Sequence, residues 1–241
     1  STLLADVLWL EQILSFRLEG NAEQLQQLAL DLSQEKTGNA LFRLRSQHLI
    51  KNSPELQQIL WLDSSAHLLD SMPTQNLPRL GRGGPENNTT ADTKALTKPE
   101  PSADLPADMQ ARAIELASKL GKTVYTDVYQ SSGAPQFEVF FPLFENGLYH
   151  GSLVGVYSLN TLLKQLVPWW FTEKYRVRIL DANGHALASK SRVNETSTIF
   201  SYTVPFDPPG FGMAIQVTAY RGTGSNAQTL ITALIIALAA A

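Results

Sequence analysis

The sequence predicts an α+β fold in which a long N-terminal helix is followed by two antiparallel sheets in tandem. Three observations predict it: a stripe of apolar residues at helical spacing through the first 32 positions, a strand-turn-strand segment that occurs twice, and a series of short apolar runs separated by turn residues. A chain of 241 residues is long enough for two small domains, each with its own core.

The first stripe runs Leu3, Val7, Leu10, Leu14, Leu18, Leu25, Leu28 and Leu32, in steps near three and four, with Glu11, Arg17, Glu23, Gln26 and Asp31 opposite. Gly20-Asn21 weakens the helix there by ~1 kcal/mol relative to alanine, so the reading is one helix that can bend at that point. Its stripe serves either a second copy, as a short coiled coil through Leu3, Val7, Leu10, Leu14 and Leu18, or the body of its own domain. A second helix opens at Thr37 and stops at Asn52-Ser-Pro54. Strands are expected at 56–62 and 68–71, with a long loop over 73–105 where proline, glycine and asparagine leave no apolar pattern. A helix over 107–120 ends at Gly121. Strands at 123–129, 137–144 and 148–158 follow, the last two joined by Asn146-Gly147, a strong hairpin signal. A helix over 160–167 leads through Pro168-Trp-Trp-Phe171 to strands at 175–180, 185–190, 200–206 and 213–220. The apolar run Leu230–Ala241 is shorter than the about 20 residues that cross a bilayer, and reads as the start of a truncated membrane-spanning helix. A buried C-terminal helix or a flexible tail is the alternative.

Leu62-Asp63-Ser-Ser-Ala-His67-Leu-Leu69-Asp-Ser71 returns as Leu180-Asp181-Ala-Asn-Gly-His185-Ala-Leu187-Ala-Ser189. Each follows an apolar run, and in each the aspartate ends a strand where its carboxylate can bond the turn backbone. The repeat divides the chain into N-terminal helices at 1–51, a larger sheet domain at 52–158, a linker helix at 159–169, a smaller sheet domain at 170–221 and an exit segment at 222–241.

Composition excludes several classes. A net charge of -3 offers no basic surface for nucleic acid, and the absence of cysteine removes disulfides, thiolate metal sites and thiol nucleophiles. His48, His67, His150 and His185 are too scattered for a zinc motif, so neither a metal nor another cofactor is expected. No nucleophile elbow or phosphate-cradling loop is present, and Gly81-Arg-Gly-Gly84 lies in a proline-rich stretch without the flanking strand and helix. Carboxylate pairs for glycoside hydrolysis could be drawn from Asp127, Glu138 and Glu145, as from most domains of this size. No catalytic residues are assigned.

The long helix, the two hairpins, Val124-Tyr-Thr-Asp127-Val-Tyr129, and Phe141-Pro-Leu-Phe-Glu-Asn-Gly147-Leu-Tyr-His-Gly151 with Leu153-Val-Gly155-Val-Tyr-Ser158 together resemble the double-Cache family. These are tandem PAS-like sensor domains found outside the membrane in bacterial histidine kinases, diguanylate cyclases and chemoreceptors. The resemblance implies a ligand-sensing region of an inner-membrane receptor, most often a histidine kinase. It implies a periplasmic location, a small-molecule ligand, flanking membrane helices, and a homodimer through the N-terminal helix that is weak without those membrane helices. The alternatives are the sensor domain of a diguanylate cyclase or chemoreceptor, and a free-standing periplasmic binding or interaction module. In the family the ligand lies against the central strands of the membrane-distal domain, which here would be lined by strand 123–129. Alternation puts Tyr125, Asp127 and Tyr129 on one face, with Val124 and Val128 toward the core. Two phenols around a carboxylate suit an amine-bearing or otherwise polar metabolite, with Arg112 as the protein's own partner for an enclosed Asp127. Arg45 and His48, three apart on the second helix, resemble the pair with which citrate and dicarboxylate sensor kinases meet a carboxylate.

Overall fold

The computed structural model describes residues 2–34, 38–74, 105–192, 200–206 and 212–220. The expected loop at 73–105 and the exit segment lie almost wholly outside these residues, as does Thr37. The chain forms two compact units, 15–165 and 1–14 with 166–241. One division between the units falls within the first helix, after Leu14.

Helix α1 (Leu3–Gln34) is continuous through Gly20. Helix α2 (Gly38–Asn52) packs toward strand β1 (Leu56–Asp63), which forms a hairpin with β2 (Leu68–Met72). Helix α3 (Ala107–Leu120) ends on Gly121, whose φ of 61° supplies the left-handed cap. Strands β3 (Val124–Tyr125), β4 (Tyr129–Ser131), β5 (Ala134–Glu145) and β6 (Leu148–Ser158) complete a six-stranded sheet. Its order is β2-β1-β6-β5-β3, with β4 also on β5. Helix α4 (Leu159–Leu166) follows, burying Leu159, Leu162 and Leu163.

The smaller unit holds the short helix α5 (Trp169–Thr172) and strands β7 (Tyr175–Leu180), β8 (Ala186–Lys190), β9 (Phe200–Pro205) and β10 (Ala214–Ala219). These pair as β8-β7-β10-β9, the same order as β2-β1-β6-β5. The two hairpins lie in separate sheets and agree bond for bond. Asp63 Oδ1 accepts the N–H groups of Ser65 and His67, both at 2.8 Å, and Asp181 Oδ1 those of Asn183 and His185, both at 2.8 Å. Each aspartate Oδ2 also meets the Nδ1 of its histidine, at 3.2 and 3.3 Å. A register shift precedes both turns, after Trp61 and after Ile179. These bonds hold both carboxyl groups below the usual aspartate range; for Asp63 burial works against them and is outweighed.

The α1 stripe does not remain free for a partner. Val7, Leu10 and Leu14 have no exposed surface and Leu18 has 2%. Burial within the chain already satisfies that face, so the expected coiled coil through Leu3, Val7, Leu10, Leu14 and Leu18 is corrected: Val7, Leu10, Leu14 and Leu18 are core and Leu3 is half-buried. The apolar groups that α1 leaves in solvent are Leu4, Leu8, Trp9, Phe16 and Leu30. Among the described residues, no helix is long and apolar enough to cross a membrane.

Candidate functional site

Each face of the larger sheet has its own cover. On one, Gly155 of β6 leaves room for Leu25 of α1: a Cβ there would stand 2.9 Å from the Leu25 Cδ1. The same face carries Phe137 stacked on Tyr157, their ring centres 5.0 Å apart. The other face lies under α3, where Ala113 and Ala117 meet Leu60, Leu62, Phe140, Val154 and Val156.

A polar group is set into this α3-covered face. Glu138 pairs across the sheet with Val156 and is 1% exposed; Tyr129 donates its phenol proton to Glu138 Oε1 at 2.9 Å. Thr126 fixes the backbone beneath them: its hydroxyl accepts the Glu138 N–H and its own N–H reaches the Glu138 carbonyl, both at 2.9 Å. A phenol and a carboxylate side by side on an apolar floor are suited to orienting a small ligand that carries a donor.

The two hydrogen bonds between Thr126 and Glu138 also explain where the sequence expectation departs from the structure. The strand expected at 123–129 is broken into β3 and β4, and the break resets the alternation. Tyr125 faces the α1 side, 6.4 Å from Phe137 between ring centres, while Tyr129 joins the α3-side cluster. Burial, and then the negative charge of Glu19 on α1, push the Tyr125 phenol up. Asp127 sits in the break with its side chain exposed, and Arg112 is exposed on α3. Tyr125, Asp127 and Tyr129 therefore do not share a face, and Asp127 is not an enclosed carboxylate. Of the three, Tyr129 is the one on the α3-covered floor. Sequence reasoning missed Thr126 and gave Glu138 no place in this cluster, although an acidic residue inside Phe137-Glu-Val-Phe-Phe141 was the available signal.

Arg45 and His48 lie elsewhere. With Gln24, Leu44 and Leu49 they line a groove of about 300 Å³ between α1 and α2. Arg45 bonds the Asp31 carboxylate, and His48 Nε2 lies 2.8 Å from the Asn52 amide nitrogen. Among the described residues, no group of three or more histidine, cysteine or acidic side chains is placed to hold a metal ion.

No family model matches the chain. Over 236 residues, 98% of its length, it is 28% identical to the C4-dicarboxylate transport sensor protein DctS of Rhodobacter capsulatus, and it spans 31% of that relative. Among solved structures, the ligand-binding domain of the Pseudomonas fluorescens chemoreceptor CtaA in complex with L-serine superposes with a TM-score of 0.60 at 13% identity, covering 90% of this chain and 95% of that one. The ligand-binding domain of the Pseudomonas aeruginosa amino acid chemoreceptor PctB in complex with L-Gln gives 0.56 at 14%, covering 95% and 96%. These structures share the fold. Two PAS-like sheets in one strand order, an Asp-His hairpin repeated bond for bond, and these superpositions lead to one conclusion: the chain has the tandem PAS-like fold of these ligand-binding domains, and it is similar over nearly its whole length to a sensor protein.

Proposed function

We propose that this domain is the extracytoplasmic, ligand-sensing part of a membrane receptor whose output is a histidine kinase, and that it binds a small polar metabolite on the α3-covered face of the larger sheet. The observation that carries the site is the buried Tyr129–Glu138 pair beneath α3. A carboxylate acceptor beside a phenol favours a ligand with an ammonium group, an amino acid or amine. Signalling then requires that the ligand bind one of two conformations better, with α1 carrying the difference. Calorimetric titration with amino acids, amines and C4-dicarboxylates tests the reading. An amine-bearing ligand should bind, and Glu138→Gln should weaken it about tenfold or more, with a smaller loss for Tyr129→Phe. Equal affinity in wild type and Glu138→Gln would remove Glu138 from the site.

A second reading rests on the groove at Arg45 and His48, where a ligand carboxylate would compete with Asp31 for the Arg45 guanidinium. It is supported instead if a C4-dicarboxylate binds, is unaffected by Glu138→Gln and is lost with Arg45→Gln.

Two copies are proposed to pair weakly through the exposed α1 row Leu4, Leu8 and Phe16, spaced four and eight residues apart. Sedimentation at high concentration should show a dimer whose dissociation constant rises at least about tenfold with Leu8→Glu plus Phe16→Glu. A dimer indifferent to both changes uses another surface.

A further inference from the structure

In the smaller sheet, the inner strand β7 reads Tyr175-Arg-Val-Arg-Ile-Leu180. Tyr175, Val177 and Ile179 are core, so Arg176 and Arg178 stand together on the opposite face, about 6–7 Å apart along the strand. Their cross-strand neighbours on β10 are Thr218 and Gln216, and beyond these on β9 are Ser201 and Thr203. Cross-strand partners share a face, so two guanidinium groups lie in a field of hydroxyl and amide groups. Among the described residues neither arginine has a carboxylate partner. Arg176 Nε is buried with no acceptor, although a buried charged donor without one is costly, and Thr218 beside it is 1% exposed. Burial, and then the charge of Arg176, lower the Arg178 pKa, as expected for like charges set close together.

The internal repeat says which face this is. Aligning Leu62-Asp63 with Leu180-Asp181 puts Arg176 and Arg178 at the positions of Gln58 and Leu60. Leu60 belongs to the α3-covered face of the larger sheet, the face that carries Tyr129 and Glu138. The arginines thus occupy the equivalent face of the second repeat, with chemistry of the opposite sign.

We propose that this face of the smaller sheet is a second binding site, specific for a small oxyanion, in which a carboxylate or phosphate group is held between Arg176 and Arg178 with Thr218 and Gln216 as polar neighbours. Paired guanidinium forks match the planar oxygens of a carboxylate and the oxygens of a phosphate, and such an anion would supply the acceptor that Arg176 Nε lacks. The oxyanion can belong to a free metabolite or to a lipid headgroup.

The test titrates the whole chain with succinate, with inorganic phosphate, and with phosphatidylcholine vesicles with and without phosphatidylglycerol, following heat and the arginine Nε–H resonances. At least one probe should bind and shift the Arg176 Nε–H resonance. Arg176→Gln and Arg178→Gln should each weaken binding about tenfold or more. Arg178→Lys, which keeps the charge and loses the fork, should recover part of the loss and guards against a glutamine variant that fails to fold. Binding of succinate or phosphate assigns the free-metabolite source; binding confined to phosphatidylglycerol vesicles assigns the headgroup. The proposal is overturned if no probe moves the Arg176 resonance, or if folded glutamine variants bind as wild type does. It is equally overturned if the response is lost with Glu138→Gln and kept in both arginine variants, which would place it on the larger sheet.

Discussion

Gly151→Ala is expected to cost about 4 kcal/mol or more and to lower the melting temperature by roughly 10 °C. Gly151 lies on β6, paired with Asp63 of β1 on one side and with Leu143 of β5 on the other, where both neighbours bend toward their turns. Its φ is +154°, and a Cβ built there would stand 2.1 Å from the Leu62 carbonyl oxygen. That oxygen belongs to backbone in the middle of the sheet, so relief requires moving a strand rather than rotating a side chain. Gly147→Ala is the control. Its φ of +78° is also left-handed, but the added methyl meets nothing within 4 Å, so only backbone strain of about 1–2 kcal/mol applies. Urea unfolding of the two variants separates the effects. A loss at Gly151 no greater than at Gly147 would mean that the close approach of β1 and β6 is not what the glycine serves.

The parts of the fold legible in the sequence were those fixed by local chemistry. Asn146-Gly147 specified a hairpin, Gly121 a helix end, and the repeated Asp-His segment predicted both the duplication and the equivalence of the two sheets. The partition of α1 was not legible, because an apolar stripe has the same spacing whether it meets another chain or its own sheet. The candidate site failed at one residue. Alternation through 123–129 assumed a continuous strand, but Thr126 can bond Glu138 through both its hydroxyl and its backbone, and the resulting break sends Tyr125 and Tyr129 to opposite faces. Such long-range side-chain bonds leave no trace in local periodicity. Arg176 and Arg178 stand as alternate charges in an apolar strand, a signal that the sequence reading did not take up because their shared face follows only from the register that the repeat supplies.

The Gly20-Asn21 step, which local propensity marks as the weak point of α1, is where that helix is fastened to the larger sheet unit by a buried polar network. Asn21 is 3% exposed and donates its amide N–H to Glu55 Oε1 at 2.8 Å, while its own carbonyl oxygen accepts the Ser53 hydroxyl at 2.7 Å. Arg17 reaches the same Glu55 oxygen at 2.5 Å through Nε and the Asn52 carbonyl through Nη2. Glu55 is fully buried, with Oε2 accepting no hydrogen bond, so Arg17 and Asn21 supply the side-chain hydrogen bonds to its carboxylate. Removing Arg17 leaves a buried carboxylate without its counter-charge, a loss of up to about 3–5 kcal/mol for a wholly buried pair. Because Arg17 keeps 32% of its side chain in solvent, we expect about 2–3 kcal/mol for Arg17→Met. Adding Glu55→Leu should recover most of it, with a coupling of about 1–3 kcal/mol in the double-mutant cycle. Hydrogen exchange on the 15–25 stretch should accelerate in the single variant and return toward wild type in the double, since the helix is loosened by the stranded charge rather than by lost apolar packing. If Arg17→Met changes stability by less than about 0.5 kcal/mol, the level of an ordinary surface substitution, the network does not fasten α1. Ligand-driven changes in the larger sheet would then have to reach the helix through its apolar face at Leu25, Leu28 and Leu32 alone.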